Sequence, residues 1–305
     1  MGWEKIFQKL MIEKVSIKNL DDTKRGNDVK SKWANPTKLS ALLKKFKGAD
    51  VEGQLPENAD IADPLTHFVH SWLLWEASTE QAKDAMEKIL EAFVDFNELR
   101  VALPHEIANV VGKKYPKHEE RFSGLKKSLQ AIYHKHHSVT LHQLKDLSKK
   151  DARAFVDDLD GIHPFVSNRI LHMSLGVHAI PCDEQLVHVL VEHDVLEEAV
   201  EVEKLGSWLT SSTKAADAEW TVFALQTVSD NAWSDGTIAK INKRLRAERE
   251  AEENARRKAE AEEIRKAAAA IAAAEKKAAQ KEAAEKKAAE KKIAAEKAAI
   301  KKAAD

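Results

Sequence analysis

The stretch Asp160-Gly-Ile-His-Pro-Phe-Val-Ser-Asn-Arg-Ile170 interrupts a chain that otherwise reads as one helix after another. Gly161 lacks a Cβ, so the backbone can turn sharply there and bring its amides close to a ligand. Pro164 suits the first turn of a following helix, where its missing N–H is harmless. Ser148 to Leu159 reads as the helix entering the turn, and Val166 to Leu175 as the helix leaving it, stopped by Gly176. The pattern is helix, tight turn, helix, with a helix N-terminus facing outwards. Free amides and the positive dipole end at such a terminus can hold a phosphate oxygen. Most helix-Gly-x-x-Pro-helix turns bind nothing, so the turn by itself assigns no function.

Working outward, "VHAIP" is a short apolar connector, and Asp183 then caps a helix over "EQLVHVLVEH". Two or three further helices take the chain to about Trp233. Upstream, "PLTHFVHSWLLWEAS" places Leu65, Phe68, Val69, Trp72 and Leu73 at the spacing of one buried helix face. Ser78 or Thr79 starts the next helix, whose inner stripe is Ala82, Met86, Ile89, Leu90 and Phe93. Shorter helices are expected near 105–112, 119–137 and 141–147. Pro36-Thr37 opens a basic helix that Gly48 ends, and residues 1–36 are polar, with Trp3 and Trp33 as candidate anchors. Only 10 Gly and 7 Pro punctuate 305 residues, and no credible sheet alternation occurs, so the fold class is all-α.

A single cysteine, Cys182, excludes an internal disulfide and a four-cysteine zinc or iron–sulfur site. The start has no uninterrupted apolar core with a small-residue cleavage site, so no signal peptide is expected. No run approaches the ~20 apolar residues of a membrane span. A soluble, cytoplasmic protein without a membrane partner is the expectation, most simply a monomer.

The net charge of −1 conceals two opposed halves. Residues 240–305 hold 20 Lys or Arg against 13 Asp or Glu, a net of +7, which leaves −8 on residues 1–239. The basic end contains no Gly, Pro or aromatic residue, and "EKKAA" recurs from Glu285. Ala, Glu and Lys are strong helix formers, and pairs such as Lys281–Glu285 support a helix locally. A five-residue repeat turns by ~500°, so no fixed apolar stripe forms along it. An isolated charged helix follows, serving either as a solvated spacer or as a basic tether.

The run "LDGIHPFVSNRILHMSLGVHAIPCDEQLVHVL" resembles the helix-hairpin-helix plus Gly/Pro…Asp segment of the endonuclease III-like DNA glycosylase superfamily. Leu159, Gly161 and Ile162 match the hairpin that grips the DNA backbone there, and Ser167 takes a small-residue position. His163 replaces the family's second hairpin glycine, where it either crowds a phosphate or adds a positive contact. Gly176 and Pro181 fill the connector, and Asp183 falls at the catalytic aspartate. The Schiff-base lysine of bifunctional members, 18 positions earlier, is Phe165 here, so β-lyase chemistry is not implied. The iron–sulfur cysteine loop is missing, so no cofactor is expected, and Glu76 and Ala77 stand where many members carry a polar wedge.

The resemblance implies a two-lobed endonuclease III-like domain over 37–235, preceded by the polar segment 1–36 and followed by the charged helical tail 236–305. It implies a monofunctional glycosylase that hydrolyses the N-glycosidic bond of a damaged or mismatched base in double-stranded DNA, with Asp183 as catalytic carboxylate. Leu159, Gly161, Ile162, His163 and Ser167 would contact the backbone, and the protein would be nucleoid-associated. The alternative is a non-catalytic DNA-binding or scaffolding protein, for which Asp183 is an ordinary N-cap. His134, His136, His137 and His142 read as a solvated cluster rather than a metal site. His172, His178 and His188 read as packing or surface residues, Trp72 and Trp75 as core, and Asn97, Glu98 and Arg100 as a salt-bridged helix end.

Overall fold

A computed structural model describes residues 33–46 and 55–302, so Trp3 and the expected stop at Gly48 lie outside the described residues. The described chain is helical throughout, its one β feature being an isolated antiparallel bridge between Ala34 and Leu196. The first helix, α1 (Pro36–Lys44), is capped by Asn35, whose Oδ1 accepts from Thr37 N and Lys38 N, both at 3.1 Å. Its buried Leu39, Leu42 and Leu43 pack into a core built mainly from the C-terminal half of the chain.

The second helix, α2 (Pro64–Leu74), forms the centre of a separate core. The expected stripe is buried, and so are Thr66, His70 and Ser71 on the other faces, leaving only His67 partly open. A helix surrounded on all sides must be lined by neighbours, and α2 packs on α3 (Thr79–Ala92), α6 (His118–His136) and α8 (Pro164–Leu175). Two short helices, α4 (Phe96–Val101) and α5 (Pro104–Val111), lie between α3 and α6 and pack on α6. Gly124 of α6 is required by this packing, because a Cβ there would stand 2.3 Å from the Trp72 ring. Ser78 caps α3 in a reciprocal box with Gln81, as its sequence predicts.

After a 3₁₀ turn at His142–Asp146, α7 (Lys149–Asp157) and α8 form the hairpin, and the first core closes at Leu171. Helix α8 starts two residues earlier than the apolar pattern indicates, because Pro164 takes its first position. The chain then enters the second core, formed by α9 (Glu184–Glu192), α10 (Val202–Ser212), α11 (Ala218–Ser234) and the returning α1. The long helix α12 (Thr237–Lys302) buries Ile238 and Ile241 in this core, and Arg244 Nη1 pairs with Glu192 at 2.7 Å. Two lobes result, and the seam between them runs past the residue after α2 and the start of α9.

Among the described residues no helix is long and apolar enough to cross a membrane, and no group of three His, Cys, Asp or Glu side chains could hold a metal ion. His134 lies against Gln130, His136 against the Phe155 ring, and His142 points toward Asp63. At the end of α4, Arg100 bonds Asn97 and Gln130 and covers the Tyr133 ring. Glu98 instead accepts from Val94 N, so this helix end is hydrogen-bonded rather than salt-bridged.

Candidate active site at the lobe seam

The hairpin turn is drawn tightly onto α6. Gly161 adopts φ +74°, and a Cβ there would lie 2.9 Å from Lys127 Cβ and 3.4 Å from Gly124 O. Both the left-handed backbone and the close approach therefore require glycine. Ser128 Oγ donates to Asp160 O at 3.1 Å, and Ile162 N closes the turn onto Leu159 O at 3.1 Å. Leu159 and Ser167 are buried beneath the turn, and Ser167 Oγ donates to Asp157 on α7. At the tip, Gly161 is exposed, while Ile162 and His163 are half-buried.

His163 is the N-cap of α8, its Nδ1 accepting from Phe165 N at 3.2 Å. That bond removes one first-turn amide from any ligand. The ring also stacks on Trp75, centroids 4.0 Å apart. Burial holds its pKa down to about 4, with Lys117 and Arg121 helping and Glu184 opposing, so the ring is neutral at pH 7. Of the two sequence readings for His163, a positive contact is thus the weaker.

Trp75 is followed by Glu76, and this dipeptide separates the hairpin from Asp183. Glu76 lies in the left-handed region at φ +48°, a strained conformation for a residue with a side chain. The turn aims Glu76 N at Asp183 Oδ2, 3.0 Å away across the seam. Asp183 Oδ1 accepts from Leu186 N at 2.8 Å, so it caps α9 as its sequence indicates. One carboxylate thus satisfies an amide from each lobe. Gln185 Nε2 donates to Glu76 O at 3.4 Å, and Thr79 N donates to Asp230 Oδ1 at 2.8 Å, adding two more seam bonds.

Four ionisable groups meet here. Burial raises the Glu76 carboxyl to about 8, reinforced by a hydrogen bond to Glu184 and by the Asp183 charge. Lys117 Nζ, 2.8 Å from Glu76 Oε1, only partly opposes this. Burial also pushes Glu184 up, but the Glu76 bond, its own amide and Lys117 outweigh it and hold Glu184 below its ordinary value. Burial thus favours the neutral form of Glu76, and the neighbouring Glu76 favours the charged form of Glu184. Asp183 is raised by burial, against the pull of the Leu186 and Glu76 amides. Beneath them Arg121, fully buried, donates to Trp72 O, Leu73 O, Trp75 O and Pro116 O. It binds the carbonyls at the end of α2 that no further helical turn would satisfy.

Asp183 borders a crevice that also touches Phe165, Arg169, Gln185, Phe223 and Gln226. Its interior is about 20 Å³, room for one water and far short of a nucleobase. Beside the hairpin, a wider groove of about 320 Å³ is walled by His163, Pro164, Glu184, Glu201 and Glu203. Asp183 and the hairpin are the residues that the sequence singles out, and the structure brings them to the seam beside Trp75 and Glu76. In the sequence Glu76 draws notice only as standing where the family's polar wedge would be, and nothing marks Lys117, because a lysine before a helix carries no motif.

No family model matches the sequence, and no curated protein matches it. Among solved structures the chain is similar to an endonuclease III trapped in a covalent intermediate with DNA, at 13% identity and TM-score 0.47, over 62% of this chain and 82% of that one. It is similar to a thermostable thymine-DNA glycosylase, at 16% identity and TM-score 0.44, over 63% and 83%. It is also similar to the H. pylori 3-methyladenine DNA glycosylase bound to 1,N6-ethenoadenine, at 15% identity and TM-score 0.42, over 65% and 97%. At such identity the likeness is one of fold.

Proposed function

We propose that this chain is a monofunctional, glycosylase-like DNA base-excision protein acting on double-stranded DNA. The observation that carries the reading is the placement of Asp183. It is a carboxylate held at the seam by one amide from each lobe, one dipeptide away from a helix-hairpin-helix turn. Among the described residues no acceptor pairs with Gly161 N or His163 N, so two amides at the turn remain to meet a phosphate, with the exposed Lys127 beneath them. Leu159 and Ser167 would act from below, by holding the turn. An extruded base would enter the seam. Asp183 would stabilise the oxocarbenium-like sugar or take the proton of the attacking water as the N-glycosidic bond breaks. Phe165, buried against the core, offers no amine, so excision would leave an intact abasic strand.

A second reading, duplex binding without excision, is favoured by one specific observation. Both Asp183 oxygens are engaged, and the crevice beside them admits only a water. A cleavage screen decides between the two. Duplexes carrying uracil, oxidised, alkylated or mismatched bases are incubated with protein and then treated with alkali. Strand scission that requires alkali and disappears in Asp183→Asn supports excision. No product from any substrate, with duplex binding retained, leaves the second reading.

A further inference from the structure

Beyond Leu245, which packs partly against the second core, α12 continues to Lys302. At ~1.5 Å per residue that projecting length is about 85 Å. Its first part is close to self-neutral, with 9 Lys or Arg against 7 Glu over residues 240–265. Arg246–Glu250, Arg257–Glu253 and Arg256–Glu260 pair within one turn there, as Lys266–Glu262 and Lys281–Glu285 do further out. Beyond it the balance changes to 11 Lys against 5 Glu over residues 266–302, a net of +6.

The distribution of that charge narrows the partner. Lys276, Lys281 and Lys286 are exposed, and each five-residue step turns ~140°, so the three face different sides of the helix. A membrane-surface helix needs one broad apolar face, and a coiled coil needs a sustained apolar seam. A repeat that rotates this way builds neither. Residues 240–305 contain no aromatic ring on which a single-stranded base could stack. The remaining polyanions are a duplex and the chain's own acidic body. That body carries −8 over some 239 residues, whereas a duplex presents one charge per ~1.7 Å, or ~50 along the length of the projecting helix. A helix rich in alanine is also slim enough for a major groove ~12 Å wide, whose two phosphate walls suit lysines on every side.

We propose that the distal half of α12, from Lys266 onward, is a sequence-independent arm that binds the phosphates of duplex DNA. The arm acts through counterion release and holds the lobes near the duplex whether or not Asp183 excises a base. Neutralising about five phosphates corresponds to a salt slope of about −4 to −5.

The test compares the full chain with a chain ending at Arg265, which keeps both cores and the Arg244–Glu192 pair. Binding to a fluorescent, lesion-free 30-base-pair duplex is measured by anisotropy between 50 and 200 mM NaCl. The full chain is expected to show a slope steeper by about 4, so that it loses ~300-fold more affinity over this range than the shortened chain. A full-length variant with Lys276, Lys281, Lys286 and Lys287 changed to Gln keeps the helix, checked by circular dichroism, and should recover most of the shortened chain's shallow slope. Equal slopes for all three proteins would overturn the proposal. So would tighter binding of the full chain to anionic phosphatidylserine vesicles than to duplex, or tail-dependent self-association at low salt in sedimentation without any gain on DNA. Excision is scored separately on lesion duplexes, so a protein without activity but with the steep, tail-dependent slope leaves this arm standing.

Discussion

Asp183 caps α9 and bridges the lobes, and one pair of substitutions can separate that structural role from the proposed catalytic one. In Asp183→Ala, α9 loses its cap, which costs about 0.5–2 kcal/mol. Glu76 N also loses its acceptor inside the seam, and an orphaned buried donor costs about 1–3 kcal/mol. The sum is about 1.5–5 kcal/mol. In Asp183→Asn the amide oxygen can still accept from Leu186 N, and asparagine caps as well as aspartate. Its NH2 group then faces Glu76 N, donor against donor, so the cap is kept and only the Glu76 N donor is orphaned, at about 1–3 kcal/mol. A domain of roughly 200 residues shifts by ~2–4 °C per kcal/mol, so Ala should lower Tm by about 3–20 °C and Asn by less, about 2–12 °C. Excision, by contrast, should fall at least ~100-fold in both, because neither side chain carries the charge that stabilises the sugar cation. The wild-type rate should rise with pH through a limb lying above the ordinary aspartate range, since burial raises this carboxyl and the ionised form is the active one. Differential scanning calorimetry and single-turnover cleavage measure the two effects. An Ala variant as stable as wild type would refute the two-lobe bridge, and an Asn variant with wild-type cleavage would refute the catalytic role.

Three further outcomes follow from neighbouring contacts. Glu76→Gln should flatten the pH dependence of stability. The wild-type carboxyl, raised to about 8 when folded, adds stability below its unfolded pKa of ~4.5 and loses it as pH rises toward 8. The variant should therefore gain on wild type between pH 5.5 and pH 9 in urea midpoints, and a constant difference would contradict the assignment. Gly161→Ala forces a left-handed alanine whose Cβ meets Lys127, so about 2 kcal/mol of stability and much of the duplex affinity should be lost, as read by urea titration and anisotropy. Arg121→Met strands buried carbonyls at the end of α2 and should destabilise by about 3–5 kcal/mol, visible as a lower urea midpoint with an unchanged slope.

The parts of this architecture visible in the sequence are those set by neighbours along the chain. The Ser78–Gln81 box, the Asp183 cap and the Gly161 turn each depend on three or four consecutive residues. The apolar stripe of α2 was equally plain, but its opposite face was not. Thr66, His70 and Ser71 look like the solvent side of an amphipathic helix, and only the α8 and α6 surfaces around them show otherwise. Arg121 sits in "HEERFSGLKK", a run indistinguishable from a solvated basic helix until its carbonyl partners from α2 are brought beside it. Ile238 and Ile241 open what reads as tail, yet they complete the second core. The return of α1 to α11 joins segments some 180 residues apart, which no local pattern encodes.

The closed crevice is the point on which excision and mere binding divide, and its cost can be bounded. Direct hydrogen bonds across the seam include Glu76 N to Asp183, Gln185 to Glu76 O and Thr79 N to Asp230. At a net ~1 kcal/mol each, breaking them costs about 3 kcal/mol. The hairpin amides and the lysines of α12 would make their phosphate contacts outside the seam, and ordinary non-specific duplex binding is worth more than 3 kcal/mol. Binding opens the lobes only if the open form touches the duplex better than the closed one by more than these hydrogen bonds and the apolar contacts of Leu74, Phe165 and Phe223 together cost. Asp183 would then lose the Glu76 amide that opposes its raised pKa and keep the Leu186 amide that orients it. The closed crevice thus argues against excision only for a seam that stays shut on DNA, and hydrogen exchange at Glu76 N, with and without duplex, reports whether it does.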